Sequence, residues 1–213
     1  TQSITGVGFQ PDFTWIKYRN DTYGHRLYDS VRGVTKEIYS NNSGAESTVA
    51  TGLTAFGTDG FTLGSSSGVN HNSGTYVSWN WKAATAFSNN AGTNGATIAS
   101  TGRKNTTAGF SIVSFVGNQT SGATVAHGLG AVPKVVIIKG RDSALDWRSY
   151  FAPVGHTKYM TLNTTEAGTT ASNFMNDTAP TSTLFSLGNG ETPNKSGENY
   201  IAYCFAEKKG YSK

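Results

Sequence analysis

The sequence predicts an all-β protein made of two tandem antiparallel β-sandwich units with Greek-key or jelly-roll connections. Charged residues make up only 14% of its 213 residues, while 26 are glycine. That composition is typical of short strands joined by polar turns. Apolar residues also alternate with a period of two along several segments, as in half-buried strands. Finally, the chain contains one long pattern twice, which indicates a supersecondary unit copied in tandem.

The repeat is clearest in GVGFQPDFTWIK at 6–17 and GLGAVPKVVIIK at 128–139. Their offset of 122 pairs Lys17 with Lys139, Arg19 with Arg141, Arg26 with Arg148, Tyr28 with Tyr150, and Lys36 with Lys158. Later the offset becomes 124, which aligns FTLG at 61–64 with FSLG at 185–188 and YVSWNW at 76–81 with YIAYCF at 200–205. The two additional residues fall in loops, where insertions cost little.

Each copy contains predicted strands in the same order. DFTWIK begins the first series and KVVIIK begins the second, each after a proline, Pro11 or Pro133, that removes no central ladder hydrogen bond. In YVSWNW alternation places Val77, Trp79 and Trp81 on one face, and we expect Trp15, Trp79 and Trp81 in the core. Further strands are predicted at 26–29, 61–64, 110–117, 148–151, 159–162 and 185–188, with turns at 58–60, 189–190 and 196–197.

The predicted domains are a first β-sandwich repeat at 1–84, a Gly/Ser/Asn-rich linker at 85–108 and a second β-sandwich repeat at 109–213. The second repeat opens with FSIVSFVG, whereas nothing equivalent precedes Thr1 in the given sequence. We therefore expect the first repeat to lack its opening strand and to expose an edge that a neighbouring subunit's strand can fill. Alternatively, Thr1 is a processing site or another boundary, and a longer native chain needs no donor.

Charge and hydropathy exclude two classes of partner. The net charge of +4 comes from scattered Lys and Arg, with no run longer than Lys208-Lys209, so no nucleic-acid partner is predicted. No stretch approaches the ~20 apolar residues of a membrane helix, so no membrane insertion is predicted either. The single cysteine, Cys204, lies in an apolar strand and is expected to be a buried thiol.

No catalytic, cofactor-binding or metal-binding residues are predicted, and the chain is not expected to be an enzyme. Its thirteen acidic residues contain no close pair of the kind that glycoside hydrolysis needs. Glu46, Asp59, Asp142 and Asp146 stand alone in polar loops. The four histidines are far apart, without the spacing of metal ligands, and no nucleophile elbow or phosphate loop is present.

Binding is the stronger possibility, because aromatic residues form 12% of the chain and an exposed ring can stack on a sugar. The candidate ligand contacts occupy comparable places in the two copies: Tyr23, His25 and Arg26 in the first, Trp147 and Arg148 in the second. The alternative is that Trp147 is buried in the core and Tyr23 is an ordinary loop residue.

Nearly the whole chain resembles a known family. The segments GFQPDFTWIKYRN, LYDSVRG, DGFTLG and YVSWNWKA, followed by GFSIVSFVGNQTSGATVAHGLGAVPKVVIIKGRDSALDWRSYF and YIAYCFAEKKGYSK, are similar to a repeated domain of bacteriophage tail and fibre proteins, especially those of marine and cyanobacterial hosts. The resemblance implies concanavalin A-like sandwiches in tandem on a virion appendage, and hence an extracellular virion location.

Two functions follow as expectations. The first is a non-enzymatic structural module of a phage tail or fibre protein, which assembles with itself as a homo-oligomer and with other virion proteins. The alternative is a carbohydrate-binding module that recognises a receptor glycan on the host surface. Low charge with many small polar residues suits a closely stacked assembly, so we favour the structural function.

Overall fold

The computed structural model describes residues 1–210, which contain eighteen strands and three single-turn helices. The described chain is 42% strand and 6% helix, which confirms the all-β prediction. The elements are β1 (Gln2–Ile4), β2 (Phe13–Tyr18), β3 (Arg26–Asp29), β4 (Lys36–Tyr39), β5 (Ser47–Thr48), β6 (Leu53–Gly57), β7 (Gly60–Leu63), α1 (Ser67–Asn70), β8 (Tyr76–Trp81), β9 (Thr85–Asn89), β10 (Ser100–Asn105), β11 (Phe110–Val116), β12 (Ala123–Ala126), β13 (Pro133–Gly140), β14 (Arg148–Phe151), β15 (Lys158–Thr161), β16 (Thr169–Thr170), α2 (Ser172–Met175), β17 (Leu184–Leu187), α3 (Glu191–Asn194) and β18 (Asn199–Ala206).

The first half of the chain forms a five-stranded antiparallel sheet in the order β5-β4-β3-β2-β8. The predicted strands DFTWIK and YVSWNW are its β2 and β8, and they pair so that Trp15 lies opposite Trp79. Alternation along β2 sends Phe13 and Trp15 to one core and Ile16 to another. The sheet therefore buries apolar side chains on both faces.

The second half forms a seven-stranded antiparallel sheet in the order β10-β11-β18-β13-β14-β15-β16. Its members β18, β13, β14, β15 and β16 follow the same order as β8, β2, β3, β4 and β5. The seven-stranded sheet continues beyond β18 into β11 and β10. Across residues 1–210, no strand pairs with the corresponding outer edge of β8.

Two small sheets complete four stacked layers. The sheet β1-β7-β6 packs on the outer face of the five-stranded sheet around Ile16, Phe61 and Leu63. The pair β12-β17 packs on the outer face of the seven-stranded sheet, around residues that include Phe115 and Phe185. The two large sheets face each other across a central core, in which the rings of Phe13 and Tyr203 stack with their centroids 4.3 Å apart.

The segment 85–108 is not a free linker as its composition suggested. It contains β9 and β10, and β10 pairs along its length with β11. The composition misled because β10 is an edge strand whose inward residues are small, Ser100 and Gly102, and whose remaining residues are polar. The second predicted unit continues through β18, and its residues 211–213 lie outside the described part of the chain.

The prediction that Trp79 belongs to the core is wrong. Its side chain is 45% exposed, whereas Trp15 and Trp81 are partly buried against the central core. Alternation along β8 correctly places Trp79 and Trp81 on the same face of the strand. It does not report whether a further strand lies beside β8 to cover that face.

Two other sequence observations have structural outcomes. Cys204 is fully buried and free, as predicted. Desolvation raises the pKa of its thiol to about 12. Within residues 1–210, no helix has the length and apolar character needed to cross a bilayer.

Candidate functional site

Trp147, one of the predicted ligand contacts, lies in the central core with no exposed surface. Its indole Nε1 donates a hydrogen bond to the carbonyl oxygen of Tyr39 at 2.7 Å. The interpretation of Trp147 as a ligand contact is therefore corrected, because its ring face packs between the two large sheets. Arg148, the next predicted contact, is held by residues of the second half. Its guanidinium donates to Thr161 and lies 4.1 Å from the centroid of the Tyr159 ring.

Tyr23, His25 and Arg26 lie together at the start of β3, but only the tyrosine is exposed, at 37%. Its ring stacks on Tyr18 with centroids 5.5 Å apart, and Arg26 lies 5.4 Å from its centroid. Arg26 is nearly buried and pairs with Glu37 at 3.2 Å. His25 Nδ1 accepts a hydrogen bond from the indole of Trp15 at 2.8 Å, and desolvation followed by the charge of Lys17 lowers its pKa.

A cavity of about 260 Å³ opens along the unpaired outer edge of β8, between the five-stranded sheet and the sheet β1-β7-β6. We call it the β8 notch. Its wall is formed mainly by Ile4, Ile16, Phe61, Leu63, Tyr76 and Ser78. Asn70 and His71 supply polar groups at its rim. None of the predicted ligand contacts is among its lining residues.

The wall of the β8 notch is held by hydrogen bonds from α1. Tyr76 Oη donates to the carbonyl of Ser67 at 2.7 Å and accepts from the backbone N–H of His71 at 2.8 Å. Asn70 Nδ2 donates to the carbonyl of Gly64 at 2.7 Å. The Tyr76 ring also stacks on Tyr18, with centroids 4.6 Å apart. These contacts fix the orientation of the aromatic wall.

The same hydrogen bonds recur at an offset of 124. Tyr200 Oη donates to the carbonyl of Glu191 at 2.5 Å and accepts from the N–H of Lys195 at 2.7 Å. Asn194 Nδ2 donates to the carbonyl of Gly188 at 2.9 Å. The positions of Tyr76, Asn70 and Gly64 in the first half are thus held in the same way in the second.

In the second half, however, the corresponding space is filled by β11. The Phe115 ring stacks on Tyr200 with centroids 5.2 Å apart and planes 12° apart, and meets Phe185 edge-on at 6.0 Å. At the offset of 124, Tyr76 and Phe61 take the places of Tyr200 and Phe185, and both line the β8 notch. The wall of the notch therefore resembles the pocket that holds the Phe115 ring of β11 in the second half.

Asn194 also holds the turn that follows β11. Its Oδ1 accepts from the N–H of Asn118 at 2.9 Å, and its Nδ2 donates to the carbonyl of Thr120 at 3.1 Å. Within residues 1–210, Asn70 Oδ1 accepts no comparable hydrogen bond. The rim of the β8 notch therefore presents a free amide acceptor where the second half binds a backbone N–H.

The chemistry of the β8 notch is that of a binding surface. Its wall combines aliphatic and aromatic side chains with amide, hydroxyl and imidazole groups, and it contains no carboxylate. In the described part of the chain, no group of three or more His, Cys, Asp or Glu residues is arranged to hold a metal ion. The arrangement can bury apolar side chains and pair with backbone groups.

The chain belongs to a family described as a domain of unknown function (DUF7483), whose model matches residues 1–213. Neither the curated proteins nor the solved structures contain a significant match to the chain.

Proposed function

We propose that this member of the DUF7483 family is a non-enzymatic structural module of a bacteriophage tail or fibre protein, assembling with copies of itself and with other virion proteins outside the cell. The outer edge of β8 carries this proposal. It is unpaired within residues 1–210, it exposes Trp79, and YVSWNW contains no charged residue. Soluble proteins usually protect such an edge with charge, proline or a covering segment. An edge left uncharged and apolar is suited to association.

The proposal also treats the two halves as copies of one concanavalin A-like or jelly-roll sandwich. The shared strand order of the two large sheets supports a duplication, as do the matching hydrogen bonds of Tyr76 and Tyr200. The resemblance of the repeated segments to phage tail and fibre domains supports the virion location. Tandem units on an appendage require stable contacts between subunits, which the exposed edge of β8 is placed to make.

Light scattering of the purified chain across a concentration series tests this function. We expect an oligomer that persists at micromolar concentration, and we expect Trp79→Lys to shift the equilibrium at least tenfold toward monomer, because a charge at an apolar edge opposes pairing. Thr48→Lys, at the exposed opposite edge of the same sheet, is the matched control and should leave association unchanged. A monomer at every concentration would contradict self-assembly.

A second candidate is a carbohydrate-binding module that contacts host surface glycans. Two exposed aromatic rings favour it, Tyr23 at 37% and Trp79 at 45%, because such rings stack on sugars. A glycan array separates the two functions. A monomer that binds a glycan, and loses that binding in Tyr23→Ala or Trp79→Ala, would favour carbohydrate recognition over assembly.

A further inference from the structure

We infer that the β8 notch receives one extended polypeptide strand, an uncharged segment with the side-chain alternation of β11. This inference rests on the proposed assembly function and names the chemistry of the partner. It follows from the way in which β11 occupies the equivalent position on β18.

The register of β11 on β18 supplies the template. Phe115 lies opposite Tyr200, Val113 opposite Ala202 and Ile112 opposite Tyr203. Shifted by the offset of 124, those three partner positions on β18 become Tyr76, Ser78 and Trp79 on β8. An incoming strand in this register therefore presents a phenylalanine and a valine to the notch and an isoleucine to its other face.

The inward side of that strand fits the cavity. A volume of about 150 Å³ is enough to hold a benzene ring, and the notch offers about 260 Å³. It thus has room for the phenylalanine ring against Tyr76 and Phe61, with space left for the smaller valine opposite Ser78. Burial of both side chains against the wall would favour binding. The cost of ordering the wall would be small, because hydrogen bonds already fix it.

The outward side accounts for the exposure of Trp79. Tyr203, which lies opposite Ile112, is only 1% exposed, whereas Trp79 at the equivalent position is 45% exposed. The seven-stranded sheet has a neighbouring strand there and the five-stranded sheet does not. A strand on β8 would cover Trp79 in the same manner.

The rim supplies a polar contact for the end of the strand. In the second half, the turn after β11 donates from Asn118 N to Asn194 Oδ1. Asn70 is held like Asn194, by a hydrogen bond to the carbonyl of Gly64, and its Oδ1 is available for the same contact. The partner strand should therefore continue into a turn with an accessible backbone N–H.

The test uses the chain itself and a synthetic peptide, GFSIVSFVGNQT, which reproduces residues 109–120. Binding is measured by calorimetry, and the notch is located by hydrogen exchange and tryptophan emission. We expect a micromolar Kd, slower exchange of β8 amides and a blue shift, since Trp79 is the exposed tryptophan among the described residues. A control peptide with aspartate in place of Val113 and Phe115 should bind at least tenfold more weakly.

A pair of protein variants makes the result specific. Ser78→Lys places a charge in the notch opposite the incoming valine and should weaken peptide binding at least tenfold. Thr48→Lys should leave binding unchanged, and circular dichroism checks that both variants fold. No binding at peptide concentrations up to 1 mM, a concentration at the weak limit of measurable affinity, would overturn the inference. So would binding that Ser78→Lys does not affect.

The outcomes separate this inference from the proposed function. A chain that stays monomeric but binds the peptide supports strand reception and contradicts self-assembly. A chain that forms oligomers but does not bind the peptide supports assembly and overturns strand reception. An oligomer that the peptide dissociates supports strand reception with a second copy as the natural donor.

Discussion

At the scale of the residue, His127 shows how burial fixes a protonation state. Its side chain has no exposed surface. Nδ1 accepts from the N–H of Leu129 at 3.2 Å, and Nε2 lies 3.2 Å from the carbonyl of Thr181, to which a neutral ring donates from Nε2–H. Desolvation lowers the pKa of His127 to about 4, although the hydrogen bond to Thr181 acts in the opposite direction. The folded protein therefore holds a neutral imidazole throughout the mildly acidic range.

This burial predicts a loss of stability on acidification. Between pH 6.5 and about 4 the unfolded chain binds a proton at His127 that the folded chain excludes, so the free energy of unfolding falls as pH falls. We expect the free energy of unfolding to fall by about 2 kcal/mol between pH 7 and pH 5 from this residue. Urea denaturation at several pH values measures the slope. His127→Gln should flatten it, and an unchanged slope in that variant would contradict the assignment.

Single residues were predictable where one local property decides their environment. Cys204 was placed correctly because a small thiol in an apolar strand is nearly always buried. Trp79 was placed wrongly, and Trp147 was left between a ligand contact and a buried core residue, of which the structure shows the second. Nothing local to either residue reports what the rest of the chain places over it. The indole of Trp147 is covered by the five-stranded sheet, through Tyr39. Trp79 is exposed because, among residues 1–210, no strand pairs with the outer edge of β8.

At the scale of the element, β10 depends on one glycine. Gly102 lies opposite Val113, and a Cβ at that position would approach the carbonyl oxygen of Ile112 to 1.9 Å. The ring of Phe87 in β9 covers the same glycine, with Cε1 3.0 Å from the position of that Cβ. The lack of a side chain at Gly102 lets β9 pack across the β10–β11 pair.

Gly102→Ala should therefore loosen β10 from the seven-stranded sheet. We expect a loss of about 1–3 kcal/mol in the free energy of unfolding, the range typical of a disruptive single substitution. Amides of β10 should exchange faster with solvent, while those of β13 should change little. Thr101→Ala, at the exposed neighbouring position, is the control. Equal exchange rates of the β10 amides in the two variants would show that the close contact at Gly102 does not determine how firmly β10 is held.

The elements were predicted best where alternation is strong. Predicted segments match ten strands to within one residue: β2, β3, β7, β8, β11, β13, β14, β15, β17 and β18. The strands that were missed are short, polar or rich in small residues: β1, β4, β5, β6, β9, β10, β12 and β16. The β8 notch was not predicted as a site, since its wall brings together β1, β7, α1 and β8 from across the first half.

At the scale of the whole molecule, the two halves are joined by a buried network of charges as well as by the central core. Arg32 pairs with Asp29 and Glu46 in the first half. From the second half, Tyr203 donates to Asp29 at 2.7 Å, and Arg141 pairs with Glu46 at 2.9 Å. Breaking such a buried network leaves an uncompensated buried charge, which lowers the stability of the folded protein. The halves should therefore separate only when both lose their structure.

Unfolding should accordingly be a single cooperative transition. In a calorimetric scan we expect one peak, with equal calorimetric and van't Hoff enthalpies. Trp147→Ala should lower the stability of both halves together by about 3–5 kcal/mol, the usual cost of removing a large buried ring. Hydrogen exchange at β3 and β14 reports the two halves separately. Two resolved transitions would contradict this coupling.

The general architecture was accessible from the sequence, but the stacking of its layers was not. Period-two alternation and the duplicated segments predicted the all-β class. The apolar faces of β2 and β18 do not identify their partners, and only the fold brings Phe13 against Tyr203. The segment 85–108 resembled a linker for a different reason, because β10 is an edge strand of small and polar residues.

The burial of Cys204 makes its thiol a natural probe of how often β18 opens. β18 directs Ile201 and Tyr203 into the central core and Ala202 and Cys204 into the outer core of the seven-stranded sheet. A thiol with no exposed surface and a pKa of about 12 is inert while β18 stays in place. The rate at which a thiol reagent modifies Cys204 would therefore report how often β18 separates from the strands beside it, in the wild-type sequence and without an added label.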